Sequence, residues 1–575
     1  MNKVFTSIAV SAILASALSG CSQVTGSAAF VPGSAITIGE SGPLVSANSG
    51  VAASTASEIA SRDLAQLTMP AFYSPDASGK LTANTDFGSV TTSGDKITFT
   101  LSGKAKWSDG IAVSPADLAI SWMAAVNVPA AGKTDNGFNS NLVGTSLALG
   151  TNPVITDKSF SLTFAQPVAK SVADWQTMLP VTVPAHVVVG QAFSIADASA
   201  ADAKLAELIS KGKDWDIRKV GSAYAAVGAE QKVTAGAYKV ASASSSVIKL
   251  TANKAFAWGP KPTVASISLN CYQSTDELLT AMAAKKVDLA APVESPSQPY
   301  PQILAALKSA GLELSEGDSG NNEVLLLNHA DSSVFSVKGA GGPKKSAAAQ
   351  QAFFLFAPRT GIWNLLLPGS AMKRSDSLVF GSSQSDYSDS AANNGLSNFK
   401  FQDGEASQEL WAKSRFDRTI PVRVLFDSNN PRGQLEYTQL QQWGKVSGFT
   451  FKNVSTDVPS TVLASGEWDL YIADLGRAST SNTALATATG SLSAFNSAET
   501  SSLVSKLLGA GDVSSQGASL KLLDRQLVTN HYGMPLFELP GVVAHSKKFT
   551  SFAGNSSMTQ VTYGYSNWSV SASGK

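Results

Sequence analysis

Residues 97–122 read Ile-Thr-Phe-Thr-Leu-Ser-Gly-Lys-Ala-Lys-Trp-Ser-Asp-Gly-Ile-Ala-Val-Ser-Pro-Ala-Asp-Leu-Ala-Ile-Ser-Trp, and they contain the clearest structural pattern of the chain. Its first five residues alternate β-branched or aromatic side chains with a period of two, which predicts a strand. Asp109 and Gly110 predict a tight turn, because glycine tolerates a positive φ. The residues from 114 to 126 predict a helix, since Pro115 suits the first helical position and Asp117 favours the positive helix start.

Short strands and helices alternate along the rest of the chain, which predicts an α/β fold. Periodicity predicts strands over 324–328, 422–426 and 468–472, and helices over 275–285, 347–367 and 434–446. Residues 373–404 are rich in Ser, Asp, Asn and Gly and predict a long loop. Residues 339–346 only superficially resemble a phosphate-binding loop and predict a flexible loop.

The composition sets limits on partners and on domain number. The 575 residues predict two to four domain-sized units, and a hydrophobic content of 43% is enough for ordinary cores. Lys plus Arg and Asp plus Glu balance at 43 each, and we find no basic patch. We therefore expect no nucleic-acid partner.

The N-terminus has the three parts of an export signal. A basic Lys3 precedes an apolar run over 4–18 of about fifteen residues, shorter than the roughly 20 that span a bilayer. Leu-Ser-Gly-Cys then ends at Cys21 and resembles the lipobox of bacterial lipoproteins, in which the cysteine is acylated. This predicts a signal peptide over 1–20, lipidation of Cys21 and a flexible tether over 21–35. A plain secretory signal with an unmodified Cys21 is the alternative.

The chain has 2 cysteines, so a lipidated Cys21 leaves Cys271 alone. An intrachain disulfide is then excluded, and stability must come from core burial. The strand-like alternation around Cys271 indicates a buried structural thiol.

The Lys-Trp-Ser-Asp-Gly motif over 106–110, between the strand and the Ser-Pro-Ala-Asp helix start, resembles the signature of the family 5 extracellular solute-binding proteins. These are the dipeptide- and oligopeptide-binding components of ABC importers. We interpret Trp107 as a core residue. Further blocks similar to the family follow in its order, so that the resemblance covers 36–552; they are 234–240, 250–258, 278–288, Asn328, 466–470 and 533–537.

The resemblance implies a two-lobed, periplasmic-binding-protein-like α/β fold with an extra subdomain in lobe I and a hinge between the lobes. The implied ranges are 36–292 for lobe I with its inserted subdomain at about 65–215, 293–529 for lobe II, 530–575 for the return to lobe I, and hinge crossings near 290–295 and 530–535. It further implies a monomer that captures a small-molecule or peptide ligand outside the cytoplasm, beside an ABC permease. The lipid anchor would be its contact with the membrane.

The chain departs from the peptide-binding members at one motif. They carry Trp-x-x-Asp after the second-lobe strand, where this chain places Leu475 and Ala478. Asp474 and Arg477 stand nearby, and a carboxylate with a guanidinium fork could bind a zwitterionic or hydroxyl-rich ligand. A surface turn in which Asp474 and Arg477 satisfy each other is the alternative.

Other candidate ligand contacts come from the edge of lobe I. Ser41, Gly42 and Pro43 follow the first strand, where family members approach the solute with backbone groups. Tyr73 and Tyr272 lie on segments beside that edge. Residues of these types in such positions are more often core or loop packing residues than ligand contacts.

A second function of a different class stays open. Some actinobacterial lipoproteins share this fold without importing nutrients, and one regulates the synthesis of phosphatidylinositol mannoside and lipomannan glycolipids in the envelope. Its partner would be an envelope membrane protein. The four widely spaced histidines and the absence of a nucleophile motif predict no enzyme, no metal site and no cofactor.

Overall fold

The structure is a computed structural model that describes residues 30–570, except 54, 76–80, 127–136, 143–145, 165–178, 212–213, 229–230, 295–298, 368–373, 383, 402, 415–420, 458, 477–491, 510–512 and 553–559. The predicted signal peptide and Cys21 lie outside the described residues.

The strands and helices alternate along the described chain, as predicted. The strands are β1 (Val31–Glu40), β2 (Tyr73–Pro75), β3 (Leu81–Ala83), β4 (Gly88–Ser93), β5 (Lys96–Leu101), β6 (Thr151–Ile155), β7 (Ser159–Thr163), β8 (Tyr238–Ala243), β9 (Val247–Ala252), β10 (Val264–Cys271), β11 (Leu289–Ala290), β12 (Glu313–Leu327), β13 (Val422–Leu425), β14 (Phe451–Asn453), β15 (Leu470–Gly476), β16 (Gly533–His545), β17 (Phe549–Ser551) and β18 (Ser569–Val570). The helices are α1 (Thr55–Thr68), α2 (Pro115–Val126), α3 (Ala185–Phe193), α4 (Ala198–Lys211), α5 (Asp214–Ala225), α6 (Thr275–Ala283), α7 (Tyr300–Ser309), α8 (Val337–Ala340), α9 (Pro343–Phe356), α10 (Arg359–Leu366), α11 (Tyr387–Asn393), α12 (Gly404–Ser414), α13 (Pro431–Ser447), α14 (Pro459–Ser465), α15 (Ala498–Gly509) and α16 (Val513–Thr529).

The stretch over 97–122 forms β5, a turn and α2, as its pattern predicts. Gly110 makes the turn at φ 95°. Trp107 is a core residue, 2% exposed, and its indole Nε1 donates to the carboxylate of Asp117 at 3.1 Å. Asp117 also accepts from the backbone N–H groups of Ser114 and Ala185, at 2.8 and 2.7 Å. The motif is therefore a packing and hydrogen-bonding unit that joins β5, α2 and α3.

One ten-stranded sheet runs through the molecule in the order β14-β13-β15-β12-β16-β11-β1-β10-β9-β8. A first hydrophobic core packs around β1 and β10, and a second packs around β13, β15 and the end of β12. A smaller cluster beneath α6 and α7 joins the lobe I side. A separate four-stranded sheet, β4-β5-β7-β6, packs into the first core with α2.

The two long central strands, β12 and β16, belong to both lobes. At one end of the pair Glu313 lies opposite His545, and at the other end Leu326 lies opposite Gly533. Their register shifts in the middle, where Gly320 has a φ of 89°. The chain thus passes between the cores inside continuous strands, and the irregular point lies within the pair.

Two of the family-like blocks in lobe II, Asn328 and 466–470, hold neighbouring strands together by hydrogen bonds. Asp469 is fully buried and accepts from the backbone N and Nε of Arg423, at 2.8 and 3.0 Å, and from the N–H of Val334 at 2.9 Å. The side-chain amide of Asn328 donates to the carbonyl of Trp468 at 2.7 Å. These bonds fix the ends of β12, β13 and β15 against each other.

The long loop predicted over 373–404 has no helix or strand in its described residues from 374 to 386, but the segment also contains the short helix α11. Two of its polar side chains point inward to Asp524 on α16. Asp524 accepts from the N–H of Leu378, the hydroxyl of Ser390 and the amide of Asn394, at 2.9, 2.7 and 2.9 Å. A polar composition resembles that of a loop, but here it supplies donors to one buried carboxylate.

The prediction of a flexible loop over 339–346 is also wrong. Gly341, at φ 79°, ends α8, and α9 begins at Pro343. Ser346 is buried and donates to the carbonyl of Phe335 at 2.7 Å. The predicted buried thiol is confirmed: Cys271 is 5% exposed, and burial raises its pKa to about 12.

Candidate functional site

The carboxyl ends of β13 and β15 lie at one edge of the lobe II sheet, because both strands run parallel. In α/β sheets this edge is the usual place for ligands. β13 leads into Asp427 and then into α13, while β15 ends beside Asp474.

Local sequence chemistry fixes the start of α13. The side chain of Asn430 caps the helix by accepting from the N–H of Arg432 at 3.0 Å, and Pro431 occupies the first turn. Gly433 packs against the ring of Phe426, where an added Cβ would come within 2.8 Å of the ring. The helix start therefore lies close to the end of β13 and places Arg432 at the sheet edge.

Arg432 is the centre of a charged cluster that also contains Glu294, Glu323, Glu436 and Asp474, referred to below as the arginine cluster. The guanidinium Nε donates to Glu323 Oε2 at 3.0 Å, and Nη1 pairs with the carboxylate of Glu294. Arg432 is 8% exposed, so these contacts lie in a largely dehydrated setting. Burial lowers the pKa of Arg432, and the neighbouring carboxylates oppose that shift.

The arginine cluster joins the two lobes. Glu323 lies on β12 where it packs into the second core. Glu294 follows β11, and its Oε1 accepts from the N–H of Tyr300 at the start of α7, at 2.7 Å. Tyr300 packs into the small cluster with α6 and the end of β16, so Glu294 and α7 lie on the lobe I side of the sheet although the range implied by the family resemblance begins lobe II at 293. Arg432 therefore forms an ion pair with a carboxylate from each side of the boundary.

The acidic groups of the cluster exceed its single described cation. Glu323 and Glu436 are both fully buried. Burial raises the pKa of Glu436 to about 8, although the charge of Arg432 partly opposes the shift. Burial also raises the pKa of Glu323 well above its usual value, and Glu436 and Asp474 raise it further by repulsion.

Asp474, a candidate from the sequence, belongs to this cluster. It lies directly across from Glu323 in the β12–β15 ladder. Its side chain is exposed, yet the protein atoms around the carboxylate displace water and raise its pKa, while Arg432 and Asn321 favour the ionised form. The other candidate at this edge, Arg477, lies outside the described residues.

One of the candidates after β1, Ser41, is hydrogen-bonded to the segment that carries Glu294. The hydroxyl of Ser41 accepts from the N–H of Val293 at 3.2 Å. Gly42 is buried, and the carbonyl of Pro43 accepts from the hydroxyl of Ser57 at 2.8 Å. Ser41 is thus hydrogen-bonded to the residue that directly precedes Glu294 of the arginine cluster.

The two tyrosine candidates lie in packing positions. Tyr73 is half-buried on β2 and packs against the first core. Tyr272 is half-buried after β10 and packs against the smaller cluster near α6. No described contact joins either ring to the arginine cluster.

Four members of the cluster were not predicted from the sequence, namely Glu294, Glu323, Arg432 and Glu436. A local signal exists only for the last two, because Asn430-Pro431 marks a helix start and Arg432 and Glu436 are four residues apart on one face. Such a pair is ordinarily a solvated ion pair. Its burial is a tertiary property.

Two histidines that stand far apart in the sequence are neighbours in lobe II. Burial lowers the pKa of both His329 and His531 to about 4; the charge of His329 lowers the pKa of His531 further, whereas a hydrogen bond to the backbone of His531 partly opposes the shift of His329. Their rings contact Phe495 and Phe354 respectively. Within the described residues no group of three or more His, Cys, Asp or Glu side chains is arranged to hold a metal ion.

Residues 80–496 match the family model described as bacterial extracellular solute-binding proteins, family 5 middle. This match covers well over half of the chain.

The chain belongs to the family 5 extracellular solute-binding proteins.

The resemblance inferred from the motifs is therefore confirmed. Proteins of this family bind solutes outside the cytoplasm and are binding proteins rather than enzymes. No curated protein sequence matches the chain. Among the described residues, no helix is long and apolar enough to cross a membrane.

Solved structures share the fold of this family 5 protein over nearly its whole length. The periplasmic EDTA-binding protein EppA has a TM-score of 0.71 at 16% identity, with 94% of this chain and 96% of that chain covered. OppA of Haemophilus influenzae, in complex with the peptide RPPGFSPFR, has a TM-score of 0.64 at 15% identity, with 94% and 100% covered. AppA of Bacillus subtilis, in complex with a nonapeptide, has a TM-score of 0.63 at 11% identity, with 93% of this chain and 99% of that chain covered. The predicted two-lobed fold is confirmed.

Proposed function

We propose that this family 5 protein is the solute-capturing lipoprotein of an ABC importer, with a peptide-like or other polar solute enclosed between its lobes. The observation that carries the proposal is Arg432, which pairs with Glu294 on the lobe I side and with Glu323 on β12. A polar cluster shared by both lobes forms only when the lobes approach, so it couples closure to the chemistry of the boundary. Capture requires binding and closure but no catalysis.

The lobes are proposed to rotate about the middle of β12 and β16. The register shift between Asp318 and Asn322, with Gly320 at φ 89°, is the irregular point of a pair that is otherwise continuous between the cores. Hinges absorb a change in φ and ψ at a few residues. The central strands supply those residues without breaking either core.

A screen of the mature chain by thermal unfolding tests solute capture. Peptides, amino acids, polyamines and sugars are added singly, because a ligand at 100 times its dissociation constant should stabilise the protein by about 2.7 kcal/mol. We expect at least one class to raise the melting temperature and to reduce the radius of gyration in X-ray scattering. Failure of every class to do either would contradict capture and would favour the envelope-regulator alternative.

Lipidation is proposed at Cys21, which would hold the protein at the outer face of the cell membrane. A Cys21→Ala chain should lose incorporation of a clickable palmitate analogue and leave the membrane fraction. Cys271→Ala is the matched control, because its thiol is buried in lobe I and should not affect labelling. Labelling of Cys21→Ala at the level of the unaltered chain would contradict this assignment.

A further inference from the structure

The segment that follows Cys21 enters the folded chain at the start of β1. Val31 is 40% exposed there, and its backbone N–H donates to the carbonyl of Thr263, just before β10, at 3.1 Å. Ten residue steps separate Cys21 from Val31, and ten fully extended residues span at most about 35 Å. A lipid on Cys21 would therefore keep this end of lobe I within about 35 Å of the membrane surface.

Several other segments of lobe I meet at the same end. β10 and β11 run parallel to β1 and so begin at this end, whereas β16 runs antiparallel to β11 and finishes there. His545, at the end of β16, lies opposite Glu313, the residue that begins β12 after α7. Six lysines stand in the turns that join these elements, and they are referred to below as the basic edge: Lys261 before β10, Lys285 and Lys286 before β11, Lys308 near the end of α7, and Lys547 and Lys548 after β16.

Positive charge exceeds negative charge at the basic edge. Four of its lysines are exposed and form no ion pair within the described residues, namely Lys261, Lys285, Lys286 and Lys547. The acidic residues that the same registers place there each lie beside a basic side chain: Asp288 beside Lys548 at 3.1 Å, Glu313 beside His545 at 3.9 Å and Glu316 beside Lys308 at 3.8 Å. Residues 22–39 and 546–575 contain no Asp or Glu.

The sequence alone does not reveal this charge, because the six lysines come from four separate segments between 261 and 548. They are brought together by the pairing of β1 with β10 and β11, and of β11 and β12 with β16. A chain with balanced charges overall therefore carries a local positive surface where the tether begins.

We propose that the basic edge is a membrane-contact surface that binds the anionic headgroups of the bilayer in which Cys21 is anchored. The inference rests on the proposed lipidation of Cys21. A lysine close to an anionic bilayer strengthens binding by about fivefold. Because the anchor makes this contact intramolecular, even a weak attraction at several lysines is enough to orient the protein.

This contact would set the direction in which the cleft faces. β1 has ten residues and spans about 33 Å, from Val31 at the basic edge to Glu40 beside Ser41. Ser41 is bonded to Val293, next to the arginine cluster at the lobe boundary. With the basic edge on the headgroups, lobe I stands on the membrane and the boundary between the lobes opens toward the solutes outside.

A lipid surface fits the basic edge better than a single phosphate group or an acidic protein does. The unpaired lysines stand in separate turns rather than around one point, so they match an extended array of headgroups. The tether emerges beside them at Val31, so the bilayer is the anionic surface that the anchor itself supplies.

Vesicle flotation tests the surface without its anchor. The mature chain, residues 21–575 without an acyl group, is mixed with vesicles of phosphatidylcholine alone or with about 30 mol% phosphatidylglycerol. We expect at least about tenfold stronger binding to the anionic vesicles, declining as the ionic strength rises from about 0.05 to about 0.5 M. Equal binding to the two compositions, or no binding to either at low salt, would overturn the proposal.

A charge-matched pair of variants locates the contact. In the test variant three exposed lysines of the basic edge are replaced, by Lys285→Gln, Lys286→Gln and Lys547→Gln. The control variant loses three exposed lysines of lobe II instead, by Lys344→Gln, Lys445→Gln and Lys452→Gln. The test variant should bind anionic vesicles at least about tenfold more weakly than the control variant, which should match the unaltered chain. Equal loss in the two variants would mean that attraction is not localised at the basic edge.

Amine labelling of the anchored protein reports its orientation. Cys21 is coupled to a maleimide lipid in the vesicles, while Cys271, 5% exposed, is buried and stays unmodified. On anionic vesicles we expect acetylation of Lys285, Lys286 and Lys547 to slow by at least about threefold relative to neutral vesicles, and that of Lys445 to stay unchanged. Unchanged labelling of the basic edge would overturn the orientation. Because the anchor is supplied chemically, this outcome is independent of the palmitate experiment, which decides whether the cell lipidates Cys21.

Discussion

Three buried carboxylates in this protein have different surroundings. Asp117 and Asp469 each accept several N–H donors, which is how a folded chain ordinarily keeps an acid inside. Glu436 has no donor within the described residues, although it is equally buried. The first two acids hold elements together, whereas Glu436 costs stability when it ionises. Asp117 and Asp469 therefore have structural roles, whereas Glu436 is held without such hydrogen bonds within the described residues.

Glu436 makes stability depend on pH in a direction that can be checked. Its pKa in the folded chain is about 8 against 4.5 normally, so the folded state holds a proton that the unfolded state releases between those values. The contribution of Glu436 to the free energy of unfolding is therefore fully present below pH 4.5 and is lost as the pH rises toward 8. Glu436→Gln, which cannot ionise, should be more stable than the unaltered chain at alkaline pH by about 1–3 kcal/mol, with no difference in acid.

Urea unfolding across that pH range measures the effect. The charged groups that act on Glu436 are Arg432 on its own helix and Glu323 on β12. Glu294 and Asp474 act on the same guanidinium of Arg432. The exposed Glu409→Gln variant should follow the unaltered chain at every pH. A Glu436→Gln variant that is destabilised to the same extent at all pH values would show that the side chain has only a packing role.

At the scale of elements, β12 explains how one sheet can serve two lobes. Its amino-terminal half pairs with the end of β16, and its carboxyl-terminal half is covered by β15 and the start of β16. Each half is therefore buried with a different core. The irregular register between the halves is the weakest part of the ladder, because fewer backbone bonds hold it.

Substitution of Gly320 tests this part of β12. A side chain at φ 89° is strained even though nothing lies within 4 Å of an added Cβ, so Gly320→Ala should destabilise the fold by about 1–2 kcal/mol. Gly228→Ala, where a Cβ also meets open space but the φ is not in the left-handed region, should stay within about 0.5 kcal/mol. Chemical unfolding measures both. Equal effects of the two substitutions would mean that β12 has no conformational requirement at Gly320.

At the scale of the whole molecule, the arginine cluster holds the lobes together beside the crossing strands. The pair between Arg432 and Glu294 is the described ion pair of this cluster that reaches the lobe I side. Removing its carboxylate leaves Arg432 bonded within lobe II to Glu323. The electrostatic attraction between Arg432 and Glu294, which favours the closed arrangement of the lobes, is then lost.

Glu294→Gln should therefore shift the population toward open molecules. We expect a larger radius of gyration in X-ray scattering at low salt, and we expect high salt to reduce the difference by screening the pair in the unaltered chain. Glu313→Gln, at the lobe I end of β12 and away from the boundary, is the control. Identical scattering curves for Glu294→Gln and the unaltered chain would rule out a role for this pair in closure.

The family and the local elements could be predicted from the sequence. The strand, turn and helix over 97–122 follow from periodicity and from Gly110, and Trp107 is buried as predicted. The helix predicted over 434–446 corresponds to α13, which begins at Pro431, and Asp474 was a candidate because it stands near the end of a predicted strand. These features depend on neighbours within a few positions, where spacing specifies geometry.

Which charged residues come into contact depends on tertiary packing. Arg432 and Glu323 are 109 positions apart, and Glu294 reaches them from the other lobe. Nothing in the local sequence of Glu323 or Glu436 distinguishes a buried acid from a solvated one, since burial is produced by distant elements that pack over it. The same reason explains why α11 was not predicted within the loop over 373–404: this segment donates hydrogen bonds to the buried Asp524, which lies far along the chain. Helices and strands could be predicted from residue spacing, because they depend on near neighbours. The burial of the charged residues and the contacts between them depend on how distant elements pack.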